Sequence, residues 1–538
     1  MTKDPFFSFS KWTPVQIKDK AEKALVLKKK AYEKVATLPK EKQNFDSVIR
    51  VIEQAQAVYG DVMYPIDVLN NLSPDKKIRD ITKKISELNK KKSIEIIYSK
   101  KVFEAIKNVY DHEQRLSAAD TKLLDEYYSS YKRMGFDLSA KDFKRVKEIN
   151  KTISKIASDF DQRLNDWNAH IWVTRKDLDG MSEHYIDGLE EKNGKYKITL
   201  QYPHLFPFLA QATSASKRKE LADLQAQKGG KENLVLMEKA IALRKELASL
   251  LGYDTFVDYQ IERRMAGNLK NVTNFEYKLL EKILPLAQKE LEVMQEYKGV
   301  KTGDSSPIAY YEMAYLIDQY KKEHFDLDSK VVREYFELNH VLKTLVKIVK
   351  KLFGVTLIVV KVPVLHEDVF VFEASTGSHT LGYIMVDLFP REGKYGHAMA
   401  CEIRNGRQDK NGYIVPIYGL VCNFAKPTKD SPSIISHGDV EALFHEFGHV
   451  LHAISSSQPY VSLGGFQVAW DFVEVPSQFF EQWVWDKDII KMLGKHYKTG
   501  KVIPDDLVGK MLSAKYFMGA RFTMGQIVNG ILDLDIHT

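Results

Sequence analysis

The chain has 538 residues, 44% of them hydrophobic and 28% charged, a balance typical of a globular protein with several structural units. Its formal net charge of +7 is a small excess for this length, so no nucleic-acid partner is expected. Two cysteines, Cys401 and Cys422, exclude a disulfide framework and are interpreted as buried strand residues in a protein of the reducing cytoplasm.

Helices are predicted for most of the first 350 or so residues. Segments such as SVIRVIEQAQAVY and FKRVKEINKTISKIASDF have apolar residues at helical spacing. The lysine runs 28–30 and 90–92 lack interleaved aromatic residues and are interpreted as solvated helix faces. Two short interruptions, HIWVTRKDLDG and KYKITLQYP, alternate as strands do, and helices resume over 205–352. The pattern predicts a mainly α fold.

One small sheet is predicted at about 354–425. VTLIVVKV, VFVFEAS, LGYIMVDLF and YIVPIYGLVCNF are short β-branched or aromatic runs between turn residues. VCNFAKPT, at the end of this region, is the candidate sheet edge to which a peptide backbone could add as an extra strand. The longest apolar run is too short to span a bilayer, and the N-terminus lacks a secretory apolar core, so no membrane partner is expected.

The sheet region leads into a helix that carries the chemistry, DVEALFHEFGHVLHAI. His445 and His449 are four residues apart, so both imidazoles lie on one face and can bind one metal ion. Zinc suits this donor type, and Glu446 could accept a proton from a water on the ion. The alternative is a helix with two surface histidines. The apolar residues around the pair favour a buried helix, in which a metal gives the histidines a partner.

The third ligand is expected to be a carboxylate on a nearby element. Glu474, in the apolar segment DFVEVPSQFF, is the candidate, and Glu481 is a weaker rival. Asp471 and Gln478 lie about one helical turn either side of Glu474 and could orient the ligands. Two further histidines lie near the site in sequence: His437, interpreted as a helix-entry or ligand-orienting residue, and His452, interpreted as structural.

These motifs resemble those of the thimet oligopeptidase–neurolysin family of zinc metallopeptidases. The resemblance rests on HEFGH followed by DFVEVPSQ, and extends through KYKITLQYPHLFPFLAQA, ELASLLGYDTFVDY and VLHEDVFVFEA in the same order. It implies one zinc per chain, ligated by His445, His449 and Glu474, with Glu446 as general base. It also implies a mainly α, two-lobed zincin-type fold, divided into an N-terminal helical region, 1–195, and a catalytic domain, 196–538. The expected partners are short unstructured peptides, and the expected state is a monomer.

The chain departs from the family's pattern at three places. Leu365 stands where the family usually has Trp, and Phe466 stands where a small hydroxyl residue is usual. The chain also stops at Thr538, before a Tyr- and His-containing segment that helps the family bind substrate, and it is therefore expected to be truncated. The alternative function is a catalytically weakened zinc protein that binds peptides. Endopeptidase, peptidyl-dipeptidase and carboxypeptidase modes stay open.

Overall fold

A computed structural model describes residues 5–113, 115–181, 185–186, 188–200, 202–327, 329–427 and 432–538. By its internal contacts the chain divides into two units, each built from two separate stretches. Unit 1 comprises Met1–Asp137 and Ser329–Pro504, and unit 2 comprises Leu138–Asp328 and Asp505–Thr538. The predicted division into an N-terminal region, 1–195, and a catalytic domain, 196–538, stays a prediction.

The described residues of unit 1 begin with a 3₁₀ helix (Pro5–Lys11), followed by the α-helices α1 (Pro14–Ala36), α2 (Phe45–Leu72), α3 (Lys76–Ile97), α4 (Lys100–His112) and α5 (Ala118–Arg133). Side-chain caps fix where they begin, as Thr13 does for α1 and Asn44 for α2, each in a capping box. The predicted solvated faces hold for Lys29, Lys30 and the run 90–92, which are exposed. Lys28 contradicts the prediction, because it is buried between the helices.

Unit 2 is also mainly helical and carries a three-stranded sheet. Its elements are α6 (Ala140–Asn165), β1 (His170–Thr174), β2 (Glu191–Lys192), β3 (Lys195–Thr199), α7 (Tyr202–Gln211), α8 (Ala215–Ala226), α9 (Gly230–Leu250), α10 (Phe256–Ile261), α11 (Leu269–Thr302) and α12 (Met313–His324). The strand order is β1-β3-β2, all antiparallel, which confirms the two predicted interruptions of the helical pattern.

The second stretch of unit 1 holds the larger sheet and the helices that follow it. Its elements are α13 (Ser329–Arg333), α14 (Leu338–Phe353), β4 (Thr356–Val360), β5 (Phe370–Thr376), β6 (His379–Asp387), β7 (Met399–Arg404), β8 (Arg407–Asp409), β9 (Gly412–Ile414), β10 (Ile417–Val421), α15 (His437–Ser455), α16 (Val475–Glu481) and α17 (Lys487–Leu493). The chain then returns to unit 2 with α18 (Asp505–Lys515) and α19 (Gly519–His537). The mainly α fold with a small sheet is confirmed.

The large sheet has the order β4-β5-β6-β10-β7. The β10 strand is parallel to β6 and antiparallel to β7, so it lies inside the sheet. The predicted edge VCNFAKPT is therefore wrong: Val421 ends β10, the residues at 422–427 follow it outside the strands, and Thr428 lies outside the described residues. The edge next to β10 is β7, because alternation predicts that a segment is a strand but not its place in the sheet.

Helices cover both faces of this sheet. Ile403, Ile417 and Val421 belong to a buried cluster that includes Met63 and Ile66 of α2. Since successive strand residues face opposite sides, the alternate residues face the other way, towards α15. There a Cβ at Gly382 of β6 would lie 2.8 Å from the Pro416 carbonyl oxygen and 3.4 Å from Ile454 Cγ2 of α15. The sheet thus supports α15. None of the described helices is long and apolar enough to cross a membrane.

Candidate metal centre

The α15 helix presents two histidines on one face. Ser436 and Asp439 cap its start reciprocally, and most of its apolar residues are buried against the sheet. His445 and His449 lie one turn apart, with ring centroids separated by 5.0 Å and ring planes at 83°. His449 is buried, and His445 is a quarter exposed. Both Nε2 atoms are directed to the side where α16 begins.

Glu474 completes a three-residue cluster from the residue just before α16. Its Oε2 lies 3.2 Å from His445 Nε2 and 3.1 Å from His449 Nε2. One candidate ligand atom from each of the three residues lies within 4.8 Å of the others. Tetrahedral zinc with bonds of about 2.0–2.1 Å would place its ligand atoms about 3.3 Å apart. The donor set and its spacing therefore fit zinc, while the assignment of these residues as ligands stays a prediction.

Two further side chains hold the cluster. Glu481 Oε2 lies 2.7 Å from His445 Nδ1, and because a carboxylate only accepts, Nδ1–H is the donor. This bond leaves Nε2 of His445 free to face Glu474. Ser477 Oγ lies 2.9 Å from Glu474 Oε2 and donates to that carboxylate. Sequence reasoning weighed Glu481 only as a rival ligand, although its place two turns after Glu474 puts it on the same face.

Gly448 allows the two helices to approach. It lies between the histidines on α15, and a Cβ there would be 2.8 Å from Ser477 Cα and 2.9 Å from the Pro476 carbonyl oxygen. Both neighbours are backbone atoms at the start of α16, so they cannot move aside as a flexible side chain could. The short distance from α15 to Glu474 thus requires glycine at this position.

Glu446 lies on α15 between the two histidines in sequence and contacts the edge of the sheet. Burial raises the pKa of its carboxyl group, the charge of Glu474 adds to the rise, and His445 opposes it. The backbone N–H of Ala400 in β7 donates to the Glu446 carboxylate, which also lowers its pKa. The candidate base is therefore a mainly buried carboxylate at the sheet edge, beside the cluster.

The side chain of Phe466, which lies in a turn before α16, packs next to the cluster. Its ring lies edge-on to His449 with centroids 6.1 Å apart, and it also contacts Tyr418 of β10 at 5.0 Å. His449 Nδ1 is buried and has no hydrogen-bond partner among the described residues. Burial lowers the pKa of His449. This departure from the family's pattern thus forms an apolar wall beside one candidate ligand. Leu365, the other substitution, packs against the core under the sheet.

The remaining predicted site residues lie outside the three-residue cluster. His437 is the first residue of α15, where its Nε2–H donates to the Val484 carbonyl at 2.9 Å. It lies eight positions, about 12 Å of helix, before His445. His452 packs edge-on against Phe472 at 6.1 Å. Asp471, in the turn before α16, and Gln478, on α16, are exposed. A ligand-orienting role for His437, Asp471 and Gln478 stays a prediction.

Two histidines one helical turn apart, a glutamate between them in sequence and a second glutamate just before another helix form the arrangement of a metallopeptidase centre. The comparisons with known proteins agree. Residues 208–538 match peptidase family M3. Saccharolysin of Saccharomyces cerevisiae is 33% identical over 512 residues, which cover 89% of this chain and 71% of that protein.

Two other relatives show the same likeness over most of the chain. Thimet-like oligopeptidase of Dictyostelium discoideum is 29% identical over 549 residues, covering 97% of this chain and 81% of that protein. Oligopeptidase A of Salmonella typhimurium is 27% identical over 518 residues, covering 92% and 76%. The chain therefore belongs to peptidase family M3 and is a metallopeptidase. The resemblance inferred from HEFGH and DFVEVPSQ is confirmed.

Proposed function

We propose that this metallopeptidase is a zinc-dependent oligopeptidase that hydrolyses peptide bonds in short unstructured peptides. His445, His449 and Glu474 hold one zinc ion, and Glu446 is the general base. The observation that supports this most directly is the convergence of the three ligand atoms within 4.8 Å, with Glu446 next to His445 on the same helix. The names of the relatives, oligopeptidases among them, support the substrate class.

Each residue has a chemical task in this proposal. Bound zinc supplies Lewis-acid chemistry, which brings the pKa of a water towards about 7. Glu446 accepts the proton of the attacking water and later delivers it to the leaving amine. Because burial raises its pKa, Glu446 binds a proton more readily than an exposed carboxylate would. Glu481 keeps His445 in the tautomer whose Nε2 is free.

The open edge of the sheet is the proposed place for the peptide backbone. Among the described strands, β7 has one neighbour, β10. The backbone N–H of Ala400 in β7 donates a hydrogen bond to the Glu446 carboxylate, so this edge of the sheet lies directly beside the candidate base. An extended peptide that pairs with β7 would be held by main-chain hydrogen bonds, largely independent of its sequence. Such pairing requires an unfolded peptide segment, which agrees with short unstructured substrates.

The test separates metal binding from proton transfer. Elemental analysis of the purified full chain should give one zinc per chain, and the zinc-loaded chain should cleave a quenched fluorescent peptide. Glu446→Gln should keep the zinc and lose cleavage, while His449→Ala should lose both. Zinc loss from Glu446→Gln, or normal cleavage by it, would contradict the assigned role. Peptide binding without cleavage by the wild-type chain would favour the weakened peptide-binding protein instead.

A further inference from the structure

Lys28 is buried without an opposite charge beside it. It is 2% exposed, in contrast to its exposed neighbours Lys29 and Lys30. Its Nζ donates to two neutral oxygens, Gln56 Oε1 at 2.8 Å and Ser93 Oγ at 2.6 Å. No ion pair involves Lys28 among the described residues. Burying an ammonium group without a carboxylate partner costs free energy, so a negatively charged ligand beside Lys28 would be favourable.

Lys28 lines a cavity within unit 1. The cavity has a volume of about 380 Å³ and is bounded by α1, α2 and α3 together with residues after β7 and residues before α16. Tyr59 forms part of its wall, with its ring centroid 4.5 Å from Lys28 Nζ. The volume lies within the range of about 300–1,000 Å³ that is usual for small-ligand sites. A peptide side chain with a carboxylate group would fit such a space.

Two wall residues connect the cavity with the candidate metal centre. Gln467 follows Phe466, whose ring packs edge-on against His449. Asn405 directly follows the end of β7, and Ala400 near the start of β7 is bonded to Glu446. Asn405 is five positions along the chain from Ala400, about 17 Å at about 3.3 Å per extended residue. An extended peptide beside β7 would therefore reach the cavity about five residues from the scissile bond.

We propose that this cavity is a subsite for the carboxylate of an acidic substrate residue, and that Lys28 is its charged contact. This inference rests on the proposed function, because it takes the peptide to run along β7. The subsite would make the enzyme select among short peptides by charge at one remote position. Burial lowers the pKa of Lys28 to about 8, which still leaves the ammonium form in excess at pH 7.

The other charged side chains at the cavity leave a negative group acceptable. The exposed Lys90 of α3 lies at the wall and adds a second positive charge. Asp61 is already bound by both terminal nitrogens of Arg407, at 3.0 and 2.6 Å, so its charge is compensated. Asp67 accepts a hydrogen bond from the neutral Ser86 Oγ at 2.7 Å and remains a negative group at the wall. Asp67 should therefore weaken the binding of a carboxylate, which makes its removal informative.

The experiment compares glutamate with glutamine along the substrate. Otherwise uncharged quenched peptides carry one Glu or one Gln, moved over each position on both sides of the scissile bond. Zinc-loaded wild-type chain should prefer Glu at one position, about five residues from the cleavage site, by about 10-fold or more in kcat/KM, the size expected for a charge-assisted hydrogen bond. Lys28→Met should abolish this ratio, and Asp67→Asn should increase it.

Matched variants and binding measurements keep the outcomes distinct. Lys30→Met makes the same change on the exposed side of α1 and should keep the preference. Lys28→Gln, which retains a polar group, replaces Lys28→Met if that variant does not fold. Equal rates for Glu and Gln at every position, or a preference that survives both Lys28 variants, would overturn the subsite. If the wild-type chain cleaves no peptide, the proposed function fails, and the same ratio measured as Kd by fluorescence anisotropy decides the subsite.

Discussion

A single hydrogen bond to Glu481, which is not one of the three candidate ligands, sets the orientation of the His445 ring. Glu481 holds Nδ1–H of His445 at 2.7 Å, and this bond fixes both the tautomer and the ring orientation. Partners of this kind commonly change metal affinity by about 10–100-fold when they are removed. We therefore expect Glu481→Gln to bind zinc about 10–100-fold more weakly in a chelator competition titration.

A control for this variant lies one turn before His445 on the same face of α15. Glu441 of α15 accepts a hydrogen bond from Trp485 Nε1 at 2.6 Å and is not part of the cluster. Glu441→Gln removes the same charge and should leave zinc affinity within about twofold of the wild type, since nothing that orients a ligand is lost. Equal zinc affinities for Glu481→Gln and Glu441→Gln would contradict the orienting role.

The burial of Lys28 should also make the stability of the protein depend on pH. Its pKa falls from 10.5 to about 8 on folding because burial disfavours the ammonium form. Below pH 8 Lys28 is charged in both the folded and unfolded states, so folding carries the full free-energy cost of burying the ammonium group. Between pH 8 and 10.5 Lys28 is deprotonated in the folded state while it is still charged in the unfolded state. The free-energy cost of burying Lys28 therefore decreases as the pH rises.

The expected result is a stability difference that depends on pH. Lys28→Met should be more stable than the wild type at pH 7, and the gap in Tm should narrow steadily from pH 8 to pH 10. The difference between the two proteins cancels the titration of groups that they share, including the tyrosines. Lys30→Met should show no such trend. A gap that stays constant from pH 7 to pH 10 would contradict a lowered pKa of Lys28.

The burial of Lys28 could have been predicted from its position on the helix, although the composition of the lysine run did not indicate it. The run 28–30 has one composition, but helix phase separates its members. Lys28 lies four residues after Ala24 and four before Tyr32, both of which are buried. It therefore belongs to the inward stripe of α1. The histidine pair was more readily predicted, because its spacing alone specifies a shared face.

At the scale of elements, the centre depends on how closely α15 approaches α16. Gly448→Ala would place a Cβ 2.8 Å from Ser477 Cα and force the start of α16 outward, with Glu474 attached to it. We expect a loss of about 1–3 kcal/mol in the free energy of unfolding, the usual cost of overpacking. Zinc affinity should fall as well, because the third ligand moves. Denaturant unfolding of the metal-free chain and zinc titration measure the two effects separately.

Another glycine of α15 provides the matched control. Gly438 lies in the first turn, and the nearest atom to a Cβ there would be Ser436 Oγ at 3.8 Å, an ordinary contact. Gly438→Ala should be neutral or stabilising by up to about 1 kcal/mol, since alanine is the better helix former. If both alanine variants behave alike, the close approach at Gly448 does not hold the centre together.

The observed starts of the helices show which local sequence signals were sufficient to predict them. The α15 helix was predicted from its apolar stripe and is confirmed, beginning at His437. Placing Asp471 and Gln478 one helical turn either side of Glu474 assumed a helix through all three, but the next helix begins at Val475, after a series of turns. Pro476 in its first turn was the signal for this start, because proline is favoured where its missing N–H costs nothing. The order of strands had no comparable local signal.

At the scale of the whole molecule, unit 1 is assembled from segments far apart in sequence. Arg407 binds Asp61 across 346 residues, and Ser462 binds the buried Glu53 across 409 residues. Helical or strand periodicity reports only on neighbours within one element, so it contains no information on such pairs. The N-terminal helices and the zinc-site helices could each be predicted, but not that they form one unit.

The placement of every candidate ligand in unit 1 gives the last prediction. A ligand that binds only the native state stabilises the region whose opening would release it. Zinc should therefore slow amide hydrogen exchange in α15, α16 and the adjoining strands β7 and β10. The helices α11 and α19, which pack together in unit 2, should exchange at unchanged rates.

Mass spectrometry of exchanged peptides from the full chain, with and without zinc, measures this difference. His449→Ala serves as the control, because it should show no zinc effect anywhere. Slowing confined to 437–481 and its sheet partners would agree with a centre held by unit 1 alone. Equal slowing in α11 and α19 would contradict the prediction, since zinc would then stabilise residues that include none of its proposed ligands, and opening of the two units would have to be coupled.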